Sequence, residues 1–309
     1  MKLIHKLLIM LFALVLGFTA HANDGYMPFI LGEVVDGGIA DVQGQVEERL
    51  SGAGFEVVGR YAPYDGAMIL IITNDALKAH AAKSEFGGYG AAQRISLTQA
   101  NGQVQVAYTH PTYMAHVYRM EGDLAGVTAQ LGELLGHQKQ FGADKGRSER
   151  QLRRYRYMFG MENFGHTSAH MLNRHPSHEV ALRTVEQNLA NGTEGVNEVY
   201  RIEIPGKDEV VFGVAMQAPE RGNKNMDDQH IMSEIDFKDL RSTAHLPYEI
   251  LVSGDHVYHL YARFRIAISF PDLSMMGSNS FMNIMESPDA IKNALTVVAG
   301  GQVERGYWQ

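Results

Sequence analysis

The same succession of patterns runs through this chain twice, and a sequence built that way is expected to fold as two related units. Val46-Glu47-Glu48-Arg49-Leu50 recurs as Val185-Glu186-Gln187-Asn188-Leu189. Each lies on an amphipathic helical pattern, with Val42, Val46 and Leu50 on one face of the first and Leu182, Val185 and Leu189 on one face of the second. Glycine follows each helix, at Gly52 and in Asn191-Gly192, as a C-terminal stop. Two strand patterns come next. Phe55 to Tyr61 matches Val199 to Ile204, and the more apolar Ala67 to Ile72 matches Val210 to Ala215; near-continuous hydrophobicity marks the latter pair as doubly covered strands.

The correspondence resumes later. Asn101-Gly102 is a hairpin signal leading into Val104 to Tyr108 and then Pro111, and Ser253-Gly254-Asp255 leads into Val257 to Leu260. The run Phe264 to Phe270, ending at Pro271, reads as the counterpart of the strand that ends at Pro111, with Val106 and Ile266 as core positions. Met120 and Met285 close the matching segments, and each half finishes on a helix, Leu124 to Leu135 and Pro288 to Ala299. The second copy is longer, and Gln217 to Leu240, a polar stretch carrying Asp227, Asp228, Glu234 and Asp236, reads as a solvated insertion. The expected class is α+β: two tandem copies of a small α/β sandwich domain, a helix packed on an antiparallel sheet, paired within the chain as a pseudo-dimer. The expected divisions are a signal peptide over 1–22, a first domain over 23–136, a linker over 137–178, a second domain over 179–301 and a tail over 302–309.

The leader reading comes from Lys2, His5 and Lys6 ahead of the apolar run Leu7 to Phe18, followed by Ala20-His21-Ala22. That run is too short to cross about 30 Å of hydrocarbon comfortably, so cleavage before Asn23 and a periplasmic location are expected, with no membrane span after cleavage. A formal net charge of -8 argues against a nucleic-acid partner, which needs a basic surface. The chain has no cysteine, which excludes thiol redox chemistry, cysteine nucleophiles, thiolate metal sites and covalent c-type haem. It also means that an exported fold would rest on its cores alone.

Thr73-Asn74-Asp75-Ala76-Leu77-Lys78, Phe86-Gly87-Gly88-Tyr89-Gly90-Ala91-Ala92-Gln93-Arg94, Tyr108, Pro111, Tyr113-Met114 and Tyr118-Arg119-Met120 together resemble DUF302, a family of domains of unknown function. Phe264 to Ile268 and Phe270 to Met276 are similar to that family's late strand and loop. The resemblance covers most of the chain after the leader as a tandem pair. It implies small α+β domains that pair as dimers, and it implies no chemistry, because the family has no assigned activity. The second copy lacks an obvious Gly-Gly-Tyr-Gly element.

Three groups of residues are candidates for function. Lys83, Gly87, Gly88, Gly90 and Arg94 form a glycine-rich stretch whose backbone N–H groups could cradle an anion, with Tyr108 and His110 nearby in the pattern; the alternative is a tight turn feeding the next strand. His166 and His170 are spaced to share one helix face, and Met171, His175 or His178 could complete a Zn or Cu site; the alternative is a polar interdomain loop. His110, Met114, His116 and Met120 in one half, and Met275, Met276, Met282 and Met285 in the other, are compatible with copper or haem ligation but read better as packing at the pseudo-dimer interface. Lys145, Arg147, Arg150, Arg153, Arg154 and Arg156 make a basic run before Tyr157-Met158-Phe159, the ordinary reading of which is a solvated linker face. The expected function is a non-catalytic binding or accessory protein, with a groove between the copies for an unknown small ligand or periplasmic protein. Copper or zinc handling is the second expectation. An enzyme with a site near Arg94, Tyr108 and His110 is the third; no nucleophile motif such as Gly-x-Ser-x-Gly supports it.

Overall fold

The computed structural model describes residues 25–156, 162–165, 167–219 and 222–303. The leader and its cleavage site lie outside these residues, as do His166 and most of the tail.

The first half runs β1 (Phe29–Val35), α1 (Ile39–Gly52), β2 (Glu56–Tyr61), β3 (Ala67–Thr73), α2 (Asp75–Ala81), β4 (Gln93–Ala100), β5 (Gln103–Thr109), α3 (Pro111–Val117) and α4 (Ala125–Leu135). After β6 (Lys139–Phe141), α5 (Glu149–Arg153) and the single turn α6 (Thr167–His170), the second half runs β7 (Met171–Arg174), α7 (His178–Ala190), β8 (Val196–Glu203) and β9 (Glu209–Met216). It continues through α8 (Asp228–Ile235), β10 (Tyr248–Ser253), β11 (His256–His259), α9 (Ala262–Ser269) and α10 (Ser287–Val298). The fold is α+β, with two antiparallel sheets packed against helices.

The first sheet is ordered β2-β3-β4-β5-β1 with β6 added at the edge, and the second β8-β9-β10-β11-β7, the same order element for element. Irregularities repeat as well. A bulge at Val58 interrupts β2 on β3, and one at Val199 interrupts β8 on β9. A bulge at Gly32 interrupts β1 on β5, and one at Leu172 interrupts β7 on β11. An extra residue tightens strand twist locally, so matching bulges give the two sheets matching twist at matching places. The helix–strand ion pair repeats too: Arg60 on β2 binds Glu47 on α1, and Arg201 on β8 binds Glu186 on α7.

α1 and α7 form where the sequence periodicity places them. Val42, Val46 and Leu50 are buried under α1, each burial stabilising by about 1.5–3 kcal/mol. Under α7 the buried face is Ala181, Val185 and Leu189, with Leu182 only half covered. Ser177 and Asn74 cap the N-termini of α7 and α2 through their side-chain oxygens. One face of the first sheet carries α1 and α4, and one face of the second carries α7 and α10. One apolar core runs through both halves, from beneath α1 to beneath α7, and a smaller cluster of Phe29, Leu31, Ala107, Phe141 and Ala244 lies apart from it. β9 and β10 are buried on both faces nearly throughout.

Four expectations need correcting. Phe264 to Phe270 is not a strand: residues 262–269 form α9. Strand register makes Ala262 the counterpart of Pro111, because Ile95 pairs Tyr108 and Ile250 pairs His259. Val257, not Ile266, thus stands where Val106 does, and Met285 is no counterpart of Met120. A continuous apolar run carries no period to separate a buried helix from a buried strand. The stretch 137–178 is more than linker, since β6 extends the first sheet and β7 is an edge strand of the second. The insertion is not solvated throughout. Asp228 and Asp236 are buried; Asp228 accepts hydrogen bonds from Tyr61 Oη at 2.6 Å and Met216 N at 3.0 Å, and Asp236 accepts one from Ser242 N at 2.8 Å. Thr243 and the backbone at Asp239 and Arg241 go on to bind Thr98 and Gln105 of the first sheet. Lastly, Met275, Met276, Met282 and Met285 are not buried packing residues: they are 49–71% exposed, whereas Met114 and Met120 are buried.

Candidate functional site

The glycine-rich stretch does meet an anion, and that anion belongs to the protein. Gly87–Gly90 forms a buried turn of 3-10 helix, and Gly88 N–H donates to Glu209 Oε1 of the other half at 2.8 Å. Only glycine fits: a methyl at Gly87 would lie 1.9 Å from the Ala81 carbonyl oxygen. Lys83 stays exposed beside it. Arg94 is buried and ion-paired to Glu249 of β10, which also takes Arg265 Nε at 3.3 Å. Burial first, and Arg265 second, bring the Arg94 guanidinium down to about 10, so it remains charged at neutral pH.

Tyr108 faces the other way. It pairs with Ile95, the residue next to Arg94, and alternation along the strand sends the two side chains to opposite faces of the sheet. Its hydroxyl donates to the Gly136 carbonyl at 3.0 Å, just past α4. His110 caps α3, its Nδ1 accepting from Tyr113 N, and burial lowers its pKa to about 3. A neutral, capping His110 and a Tyr108 turned from Arg94 do not form one reaction centre.

The histidines of the second group are engaged separately. Tyr261 N donates to His170 Nδ1 at 3.0 Å, so the ring proton sits on Nε2 and is shared with the Asn163 carbonyl at 2.9 Å. His175 Nε2 bonds the Ala299 carbonyl at 2.9 Å and His178 Nδ1 the Gly254 carbonyl at 3.0 Å. Met171 is exposed on β7. Among the described residues no three His, Asp or Glu side chains come together as a metal site.

What the structure assembles instead is a cavity of about 490 Å³ walled by Arg147, Arg150, Arg154, Arg156 and Arg263. Its floor is apolar and aromatic, with Tyr155, Ile266, Phe270 and Phe281. Local structure explains the convergence. Ser148 and Gln151 form a capping box that starts α5, and α5 packs on α3 of the first half. Tyr155 then anchors the segment to the second half by donating to the Ala267 carbonyl at 2.9 Å. Tyr113 makes a parallel crossing from α3 to the Ile268 carbonyl at 2.8 Å. The cavity therefore opens where the two halves meet.

Among the described residues, no carboxylate lines this cavity. Arg263 is neutralised by a two-point pair with Glu162, at 2.6 and 3.0 Å. Arg147, Arg150, Arg154 and Arg156 have no ion-pair partner among the described residues. The Arg147 guanidinium lies 5.2 Å from the Tyr155 ring centroid, and its Nε is buried without a hydrogen-bond partner. Four uncompensated guanidiniums over an aromatic floor offer forked donors to carboxylate, phosphate or sulfate groups. The basic run had marked the segment in the sequence. What it did not contain was Arg263, Ile266, Phe270 or Phe281, which come from a region more than a hundred residues away.

Compared with family models, with curated proteins and with solved structures, the chain gives no match.

Proposed function

We propose that this protein is a non-catalytic binder of a small organic anion, exported to the periplasm, with the ligand held in the arginine cavity between the two halves. The observation that carries the reading is the concentration in one concavity of four arginines without an ion-pair partner among the described residues, in a chain whose net charge is -8. Like charges gathered without counter-charges repel one another, and a bound anion removes that repulsion while gaining charge-assisted hydrogen bonds. Tyr155, Phe270 and Phe281 add a surface for an apolar or aromatic body. The groove expected between the two copies is compatible with this location.

Calorimetric titration with phenyl phosphate and inorganic phosphate tests the proposal. Saturable binding is expected, weaker at high salt because the contacts are partly exposed. The Arg150→Ala, Arg154→Ala double variant should bind at least about tenfold more weakly, the loss expected of charged hydrogen bonds. Absence of saturable binding to either probe would overturn it.

A further inference from the structure

We propose that the arginine cavity is the head-group half of a longer site, and that its ligand is a soluble single-chain amphiphile with an anionic head. This rests on the anion-binding reading above and adds the chemistry of the rest of the ligand. A second cavity of about 420 Å³ adjoins the first, and Phe270 and Leu273 line both. Phe141, Ile235, Phe237 and Leu240 supply its apolar wall. Phe237 is 48% exposed there, an unusual exposure for a phenylalanine in a chain with cores of this size.

Charge sets the orientation. The second cavity carries Asp236, Asp239 and Asp272 against a single Lys238. Lys238 lies 3.9 Å from Asp144, Asp272 accepts the Asp144 N–H at 2.6 Å, and Asp236 accepts the Ser242 N–H. An anionic head is therefore repelled from the second cavity and attracted to the first, where four arginines lack ion-pair partners among the described residues. An alkyl chain leaving that head crosses Phe270 and Leu273 and removes Phe237 and Leu240 from water.

A series of butyl, hexyl and octyl phosphate below their micellar concentrations, compared with inorganic phosphate, tests this by calorimetry on the intact protein. Affinity should rise with chain length, by up to about fourfold per methylene that the second cavity buries. Phe237→Ser and Leu240→Ser should each flatten the rise and leave inorganic phosphate binding unchanged; the first changes an exposed side chain and so leaves folding intact. Arg150→Ala with Arg154→Ala should weaken every member of the series. Binding of inorganic phosphate with no gain along the series overturns the amphiphile and leaves the anion reading standing. A chain-length gain that persists in both serine variants also overturns it, because the chain then lies elsewhere. Binding of none of the probes removes the anion reading itself.

Discussion

Arg94 and Glu249 hold the same place in their own sheets, and their side chains meet. Arg94 pairs with Ile71, which pairs with Gly59 just after the Val58 bulge; Glu249 pairs with Gly213, which pairs with Tyr200 just after the Val199 bulge. The buried ion pair between them thus joins equivalent positions of the two halves. Two like charges at this point would repel each other; arginine on one sheet and glutamate on the other attract. Arg265 adds a second guanidinium on the same carboxylate, and its Nη1 reaches Ser269 at 3.0 Å.

This arrangement makes the two partners unequal. Glu249→Leu would strand two buried guanidiniums and should destabilise by about 3–5 kcal/mol. Arg94→Leu leaves Arg265 paired with Glu249 and should cost distinctly less. Urea unfolding of both variants checks the order; equal losses would mean that Arg265 takes no share in neutralising Glu249.

Asp228 and Asp236 should each contribute stability in mildly acidic solution, opposite in sign to the buried neutral histidines His110, His245 and His259. Burial raises the Asp228 carboxyl to about 7 and that of Asp236 to about 6, against an ordinary 3.8. In both cases the folded state binds the proton more tightly than the unfolded chain does. The stabilisation is complete below the unfolded value and is lost as pH climbs through 6 to 7. Asp228 has room for the proton, because its Oδ1 is buried without a hydrogen-bond partner while Oδ2 accepts from both Tyr61 and Met216. Thermal melts of the parent chain and Asp228→Asn between pH 6 and pH 8 isolate this contribution: the parent's midpoint should fall relative to the variant's as pH rises.

Two glycine substitutions should act in opposite directions. Gly87→Ala forces a methyl into the Ala81 carbonyl and should destabilise by at least about 2 kcal/mol through backbone displacement. Gly126 lies in α4 with nothing within 4 Å of the added carbon, so Gly126→Ala should stabilise by about 0.5–1 kcal/mol through helix propensity. Chemical denaturation of the two variants measures both signs.

His170 is expected to matter for folding. It spans Tyr261 N and the Asn163 carbonyl from a buried position. His170→Ala would leave the Tyr261 N–H unsatisfied and should cost about 1–3 kcal/mol. A melting temperature equal to that of the parent chain would show that this bridge carries no net stability.

The sequence by itself determined the α+β class and many of its elements. Val46 and Val185 lie under their helices, and the Ala67 and Val210 runs form central strands, because helical and strand periods are local properties that a chain displays before it folds. Local pattern failed at Phe264–Phe270, where burial on every side erased the period, and at Asp228, where a charged stretch looked solvated. Tertiary structure alone decided that Gly88 would meet Glu209, that Arg94 would turn away from Tyr108, and that Arg147 and Arg154 would join Arg263 around one cavity. Those outcomes depend on which faces of distant segments are brought together, and charge or hydrogen-bonding capacity acquires a partner only after the sheets have packed.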